Sequence, residues 1–333
     1  MINKVHLGDW TTNQLENKSV QLIIADPPYF EVKGEFDFVW DSFDDYLKDV
    51  EKWAIECKRV LADNGTLFWY GDSKKIAYAQ IIFDKYFNLL NNLTWNKGSF
   101  MGLEESEGLR SFAPCTERIL LYEKSGDRTG GEIVFEKFLK PKNPFSKYLK
   151  EQFQKANITN KEISKLFPSK TGGLTGCVSN WLNGDNVITQ EQYLKIRNFL
   201  NNKYLLKEYE ELRKEYEELR KEYEELRKEY EELRRPFNNK HKLQEVFKFS
   251  NEAQRTGAKY KHATPKPETL TRALIQTCSR KGDLVLVPFA GSGTECAMAA
   301  KEGRKFIGFD IEPKYVEMAN ARCSEHLKQT SLF

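Results

Sequence analysis

Apolar positions recur with two alternating periods in the first part of the chain. Residues 20–25 (VQLIIA) form a short, β-branched run that stops at two prolines, which is typical of a buried strand. Residues 43–62 repeat apolar side chains every three or four positions, which predicts a helix, and an Asn-Gly pair ends it before a strand at 66–70. Further short apolar runs predict strands at 92–95 and 118–122.

The last seventy residues repeat this order. Residues 284–287 predict a strand, 289–294 are punctuated by glycine, and 295–302 predict a helix. Another strand is predicted at 306–309 and ends at Asp310. Strand, glycine turn, helix, strand and acid is the order of a Rossmann-like half. We therefore expect an α/β fold with a doubly wound, mostly parallel sheet assembled from both ends of the chain.

The middle of the chain predicts an inserted all-α domain. We expect the sheet domain to comprise residues 1–136 and 262–333, with residues 137–261 inserted between them. The sequence divides the insertion into three predicted segments: short helices at 146–202, a heptad helix at 203–235 and a basic linker at 236–261. The short helices resemble a helix-turn-helix unit with an enlarged turn, in which residues 175–183 form the recognition helix. A plain helical subdomain that only packs is the alternative.

Four identical heptads, KEYEELR, occupy residues 207–234. Their tyrosines and leucines alternate spacings of three and four, which is the stripe of a coiled coil, over a rod of roughly 42 Å. The partner of this stripe is open: the same helix in a homodimer, another helix of this chain, or another protein surface. A solvated spacer is the remaining interpretation.

Composition limits the class of protein. The 333 residues are 40% hydrophobic, and they contain neither a long apolar run nor a leading signal sequence, so we expect a cytoplasmic protein without a membrane span. Six scattered cysteines without a C-x-x-C pair, together with four histidines, give no support to a metal site.

Charge is unevenly distributed along the chain. The net formal charge is +8 over residues 137–206, −4 over 207–234 and +5 over 235–262. Two basic blocks on either side of an acidic rod suit the phosphate backbone of a nucleic acid, because each neutralised phosphate releases counterions. We expect duplex DNA as the partner, with ordinary surface lysines as the alternative.

The sequence Asp26-Pro27-Pro28-Tyr29 ends the first predicted strand. An exocyclic amino nitrogen is a poor nucleophile because its lone pair is delocalised into the ring of the base. Two acceptors, the Asp26 carboxylate and the Pro27 carbonyl stiffened by the prolines, would hold the amino hydrogens and aim the nitrogen. Tyr29 offers a stacking face for a base turned out of a duplex.

The second candidate site is the glycine-punctuated turn. Gly291 and Gly293 let a ligand approach the backbone closely, and the helix N-terminus that follows favours an anionic group. No third glycine and no Lys-Thr follow, so neither a dinucleotide fingerprint nor a P-loop is matched. Asp310, at the end of the next strand, is placed to bind ribose hydroxyls.

Together these motifs resemble the β class of S-adenosylmethionine-dependent DNA amino-methyltransferases, with DPPY first, a target-recognition insertion next and F-x-G-x-G last. The resemblance covers about residues 1–136 and 262–323, and it implies the circularly permuted order of that fold. It implies that residues 26–29 are catalytic and orient the base, and that S-adenosylmethionine is the cofactor. The cofactor-binding positions it implies are Asp9, Phe289, Gly291, Gly293, Thr294 and Asp310.

The segment 262–267 (HATPKP) resembles the family's H-P-T-Q-K-P segment, with Ala263 and Pro265 as departures. The resemblance therefore adds Thr264 and Lys266 to the cofactor-binding set. Residues 95–97 and 117–118 also look like family segments near the base pocket.

The expected activity is site-specific methylation of adenine N6 in duplex DNA by base flipping and direct displacement, since the family uses Asp in DPPY for adenine and Ser for cytosine. Cytosine N4 is the first alternative, because it also presents an amino group. A helix-turn-helix regulator with a vestigial enzyme domain is the second alternative, and RNA as the substrate is the third.

Overall fold

The computed structural model describes residues 2–32, 37, 39–98, 112, 114–124, 143–169, 172–250 and 265–330. The chain divides into two compact units. The sheet unit comprises Met1–Gly130 with Arg234–Phe333, and the helical unit comprises Gly131–Leu233.

The strands of the described residues form one sheet. Their bounds are β1 Lys4–Leu7, β2 Val20–Ala25, β3 Leu61–Gly71, β4 Phe87–Asn96, β5 Thr116–Lys124, β6 Val246–Lys248, β7 Leu284–Val287 and β8 Lys305–Asp310. The order across the sheet is β1-β8-β7-β2-β3-β5-β4-β6. Neighbouring strands are parallel except where β5 pairs with β3 and with β4. The predicted mixed α/β fold is confirmed.

Helices occupy much of the remaining described chain. Their bounds are α1 Phe43–Val60, α2 Ile76–Phe83, α3 Pro144–Lys155, α4 Asn160–Ser164, α5 Cys177–Asn183, α6 Gln190–Phe199, α7 Tyr209–Leu233, α8 Glu268–Cys278, α9 Thr294–Lys301 and α10 Pro313–Thr330. A short 3-10 helix, Trp10–Thr12, follows β1. Among the described helices, none combines the length and the apolar character needed to cross a membrane.

Both faces of the sheet are covered by helices. In β2, Leu22 and Ile24 face the core beneath α8, α9 and α10, whereas Ile23 and Ala25 face the core beneath α1 and α2. Side chains on a strand alternate between the two faces, so a strand buried on both sides is apolar throughout. This double burial explains the apolar runs at residues 22–25 of β2 and 284–287 of β7.

The structure contains β1, α2 and α10, which were not predicted, and two other differences from the expected elements concern strand pairing. Asn64 and Gly65 lie inside β3, which follows α1 directly, and the pairing with β2 shifts register between Val20 and Leu22. Within the segment expected to be a linker of the insertion, Val246–Lys248 instead forms β6 and pairs with β4 in the sheet unit. In both segments the strand conformation depends on backbone hydrogen bonds to a neighbouring strand, which cannot be predicted from the local sequence.

The helical unit has its own apolar core, built by side chains of α3, α5, α6 and the first turns of α7. Leu149, Trp181 and Ile196 are each at most 4% exposed in it. The Tyr209 ring packs 5.2 Å from the Phe145 ring, centroid to centroid, and the Tyr209 hydroxyl donates to the carbonyl of Ile188. This core fixes the start of the long helix within its own unit.

The heptads do not share one environment. Tyr209 and Leu212 of the first heptad are 8% and 1% exposed, whereas Leu233 of the last is 40% exposed. The first heptad therefore finds its apolar partner inside the helical unit, and α7 extends from that anchor over 25 residues.

We predict that Leu212→Ala destabilises the helical unit by about 2–4 kcal/mol, because it leaves a cavity in a closed core. Leu226→Ala, at the same heptad position two repeats later, removes a partly exposed side chain and should cost less than about 1 kcal/mol. Urea unfolding followed by circular dichroism measures both. Equal losses would contradict the assignment of the first heptad as the anchor.

Candidate active site

Most of the residues singled out from the sequence lie at one edge of the sheet. β1, β8, β7, β2 and β3 are consecutive parallel neighbours, so their carboxyl ends share that edge. The registers pair Leu7 with Asp310 and Ile23 with Leu286. Two segments therefore follow neighbouring strands: residues 26–29, which we call the proline corner, and residues 289–294, which we call the glycine turn.

Glu117 and Lys97 reach the same edge from the antiparallel part of the sheet. Residue 118 of β5 pairs with Gly71 at the end of β3, so the start of β5 lies at this edge. Glu117 pairs in turn with Trp95, near the end of β4. Glu117 and Lys97 thus join the proline corner from the side opposite the glycine turn.

The glycine turn needs its glycines. Gly291 and Gly293 have φ of 47° and 74°, a region that side chains disfavour. At Gly293 a Cβ would lie 2.6 Å from the Cβ and 2.7 Å from the Cα of Ala319. Close packing of α9 on α10 therefore requires glycine there, beyond any role in binding.

Asp310 is tied to the glycine turn. The Gly291 amide donates to Asp310 Oδ2 at 2.8 Å, and the Glu312 amide donates to Asp310 Oδ1 at 2.9 Å. The Gly8 amide donates to the Asp310 carbonyl at 2.9 Å. The carboxylate is thereby held in one orientation beside the turn.

The remaining predicted cofactor positions around the turn have structural contacts of their own. Asp9 is exposed and caps the short 3-10 helix, accepting from the Thr11 amide at 2.9 Å. Phe289 packs edge-on against Trp53, with ring centroids 5.0 Å apart. Thr294 is buried and accepts a 2.7 Å hydrogen bond from Arg322.

In the proline corner, the Asp26 carboxylate is held from both sides. The Tyr29 hydroxyl donates to Asp26 Oδ1 at 2.7 Å, and Lys266 Nζ lies 2.8 Å from Asp26 Oδ2. Pro27 is buried and Pro28 half-buried. The Tyr29 amide donates to Asp37 at 2.5 Å, which fixes the exit of the corner.

Lys266 joins two acids. Its Nζ is also 3.1 Å from Glu117 Oε2, and Lys97 Nζ is 3.1 Å from Glu117 Oε1. Lys266 is 4% exposed, so an alternating row of four charges is largely removed from water. The structure therefore brings Lys266 to the proline corner. Its predicted neighbour Thr264 lies outside the described residues.

Burial and pairing shift the pKa values in this row. Burial raises the pKa of the Asp26 carboxyl despite the opposing charge of Lys266. Burial also raises the pKa of Glu117, but Lys266 and Lys97 outweigh it and leave that pKa below its ordinary value. Burial would lower the pKa of Lys266, yet the two acids raise it above its usual range. Lys266 is therefore a fixed cation.

Two further polar side chains point to this region, and sequence reasoning missed both. The Tyr70 hydroxyl and Glu295 Oε1 are buried with no hydrogen-bond partner among the described residues. Glu295 is 5% exposed, and burial, with the Asp26 charge second, raises its pKa to about 7. The sequence could have indicated Glu295, because it is an acid in the first turn of a predicted helix made mostly of small apolar residues, TECAMAAK.

Comparison with known proteins identifies relatives over nearly the whole chain. The family model N6_N4_Mtase, a DNA methylase family, matches residues 20–321. Type II methyltransferase M1.MboII of Moraxella bovis is 26% identical over 330 residues, covering 96% of this chain and 95% of the relative. DNA adenine methyltransferase YhdJ of Escherichia coli (strain K12) is 24% identical over 311 residues, covering 92% and 76%.

Solved structures share the fold. The PvuII DNA methyltransferase (cytosine-N4-specific) superposes with a TM-score of 0.53 at 12% identity, covering 98% of this chain and 91% of that one. A DNA modification methylase of Thermus thermophilus, TTHA0409, complexed with S-adenosyl-L-methionine, superposes with a TM-score of 0.50 at 19% identity, covering 97% and 95%. At these identities the likeness establishes the fold alone.

We predict that Gly293→Ala lowers stability more than Gly282→Ala. Both positions have positive φ, so alanine costs about 1–2 kcal/mol at each. Nothing lies within 4 Å of a Cβ at Gly282, whereas overlap with Ala319 at Gly293 adds about 1–3 kcal/mol. Thermal unfolding of the two variants tests this, and equal midpoints would refute the packing argument.

Glu295→Gln should stabilise the free protein at alkaline pH. The folded pKa of about 7 exceeds the ordinary 4.5, so the folded state takes up a proton between these values. That contribution is complete below pH 4.5 and is lost as pH rises through 7. The free-energy difference between variant and parent should therefore change by roughly 3 kcal/mol between pH 4.5 and 8. Urea unfolding at both pH values measures it, and a pH-independent difference would show that Glu295 titrates normally.

Proposed function

The chain belongs to the N6/N4 DNA methylase family, and on that premise we propose that it transfers a methyl group from S-adenosylmethionine to adenine N6 at specific sites in duplex DNA. One observation carries the proposal. The parallel pairing of β2 with β7 sets the proline corner beside the glycine turn at one edge of the sheet. An acceptor for an amino group and a cradle for a nucleoside cofactor thus adjoin each other.

The donor binds at the glycine turn. S-adenosylmethionine, when bound, supplies a methyl group on a positively charged sulfur. Gly291 is partly exposed at the turn, and its amide orients the Asp310 carboxylate, an acceptor suited to ribose hydroxyls. Asp9, exposed beside Asp310, reaches the adenine, and Phe289 and Thr294 shape the turn. These residue types fit an adenosyl group with a charged side chain.

Thr264 and Lys266 complete the donor site in the family pattern. The contacts of Lys266 support a second role, because its ammonium bonds Asp26 and Glu117. By holding both acids it keeps the Asp26 oxygens in one orientation. We therefore assign Lys266 to positioning Asp26 as well as to the cofactor side of the cleft.

The proline corner binds the base. Asp26 and the Pro27 carbonyl accept the two amino hydrogens, and the Pro28 ring stiffens the chain between them and Tyr29. Tyr29 stacks on a base that has been turned out of the duplex. Asp26 is already oriented by Tyr29 and Lys266, so little reorganisation is needed when positive charge develops on the attacking nitrogen. The displacement is direct: the N–C bond forms as the bond between sulfur and the methyl group breaks, S-adenosylhomocysteine leaves, and the amino group then loses one proton to solvent.

The helical unit is the proposed target-recognition insertion. In α5, Val178, Trp181 and Leu182 are buried, whereas Ser179, Asn180 and Asn183 are exposed. Hydroxyl and amide side chains can donate to and accept from base edges, and the +8 charge of residues 137–206 suits phosphates. Beyond its first heptad, α7 remains a candidate surface for a homodimer.

Adenine is preferred over cytosine because the acid of DPPY stands at position 26 and because one relative carries the name DNA adenine methyltransferase. Cytosine N4 is the second candidate, since the PvuII enzyme has the same fold. Tritiated methyl transfer to duplex DNA, followed by nucleoside mass spectrometry, separates them. N6-methyladenine supports the first candidate and N4-methylcytosine the second, and no transfer supports a DNA-binding protein with a vestigial enzyme domain.

We predict that Asp26→Asn retains S-adenosylmethionine binding and loses methyl transfer by at least about 100-fold, because a charged acceptor is replaced by a neutral one. Asp63→Asn is the matched control. Asp63 lies at the opposite end of the sheet in β3 and pairs with Lys18 and Lys124. Near-normal turnover by Asp26→Asn, or equal losses in the two variants, would refute the role of Asp26.

A further inference from the structure

Glu295 is a buried acid that the proposed reaction leaves without a role. It is the second residue of α9, directly after the glycine turn. Its neighbours along the helix, Cys296 to Ala300, pack into the core. Glu295 is also buried, at 5% exposed, and its Oε1 has no hydrogen-bond partner among the described residues. An ionised carboxyl in such a place is costly unless a cation faces it.

The charged and titratable groups around Glu295 come from every element packed against it. They are Asp26 after β2, Tyr70 at the end of β3, Lys266 before α8 and Arg322 on α10. Both cations have other anionic partners. Lys266 bonds Asp26 and Glu117, and Arg322 bonds Glu268 at 2.7 Å and Thr294. Glu295 therefore faces a region whose positive charges are already matched.

We propose that Glu295 is the counter-charge for the sulfonium of the methyl donor, and that it gives the site its preference for S-adenosylmethionine over the neutral-sulfur product S-adenosylhomocysteine. This inference rests on the proposed function. In the free protein, burial raises the pKa of Glu295 to about 7, so the side chain is protonated below neutral pH. Binding of the positively charged donor releases that proton to solvent, because the sulfonium takes its place as the partner of the carboxylate.

Geometry and chemistry agree on this assignment. Glu295 adjoins the turn that cradles the cofactor and is close enough to Asp26 for the two acids to influence each other. The sulfonium must lie between the glycine turn and Asp26 if the methyl group is to reach the amino nitrogen. Transfer of the methyl group abolishes the charge, so Glu295 is left buried and unmatched until it takes up a proton.

Calorimetric titration of the full-length protein with S-adenosylmethionine and S-adenosylhomocysteine, between pH 5.5 and 8.5, tests the proposal. The association constant for S-adenosylmethionine should rise about tenfold per pH unit up to about pH 7 and then level off. At pH 6, titration in buffers of different ionisation enthalpy should show close to one proton released. S-adenosylhomocysteine should show neither effect.

Glu295→Gln should weaken S-adenosylmethionine binding by roughly 10- to 100-fold at pH 8 and abolish its pH dependence, while S-adenosylhomocysteine binding changes by less than about threefold. Glu302→Gln is the matched control at the other end of α9, where Glu302 bonds Arg272 and Gln276, and it should behave like the parent. Asp26 is intact in both variants, so its own titration cancels.

Three outcomes overturn the proposal. Equal weakening of both ligands by Glu295→Gln would assign Glu295 to a part of the cofactor they share. Unchanged binding of both would remove it from the site. Absence of pH dependence in the parent protein overturns the proposal even if the variant fails to fold. If the parent protein binds neither ligand, the proposed function itself fails. If it binds both ligands equally well, only the role of Glu295 fails.

Discussion

The parallel pairing of β2 with β7 is the constraint on which the candidate site depends. Two segments far apart in sequence, residues 26–29 and 289–294, leave neighbouring strands in the same direction. Further contacts at this edge fix the positions of the two segments. Gly293 brings α9 against α10, and the Gly291 amide fixes Asp310. A cleft at the carboxyl ends of parallel strands is where open α/β sheets bind ligands.

The charged side chains at this edge of the sheet largely balance one another. Lys97, Glu117, Lys266 and Asp26 alternate in sign and are largely withdrawn from water, so each fixes its neighbour. Removing these four charges from water has an unfavourable desolvation free energy. In return, the ion pairs orient the Asp26 carboxylate before a base binds. Glu295 stands beside this balanced row as an additional acid. A site with one unmatched acid is prepared for a ligand with one positive charge.

Most of the strands, the proline corner and the glycine turn could be predicted from the sequence because each is a local pattern. Apolar runs at residues 22–25 and 284–287 mark β2 and β7, since both faces of those strands are buried there, and Asp26 and Gly291 follow them closely. Glu295 and Tyr70 were missed because burial of a polar atom depends on elements distant in sequence. The short β6 and the Asn64-Gly65 position inside β3 were missed for the same reason, since both are set by pairing across the sheet.

We propose that one cleft holds both a sulfonium donor and a target amino group. A crystal structure of the protein with S-adenosylhomocysteine bound measures this most directly. We expect the ribose at Asp310, the amino-acid portion at the glycine turn, and the sulfur turned toward Asp26 with Glu295 beside it. A ligand bound elsewhere, or a sulfur turned away from Asp26, would show that the donor and the target amino group do not share this cleft.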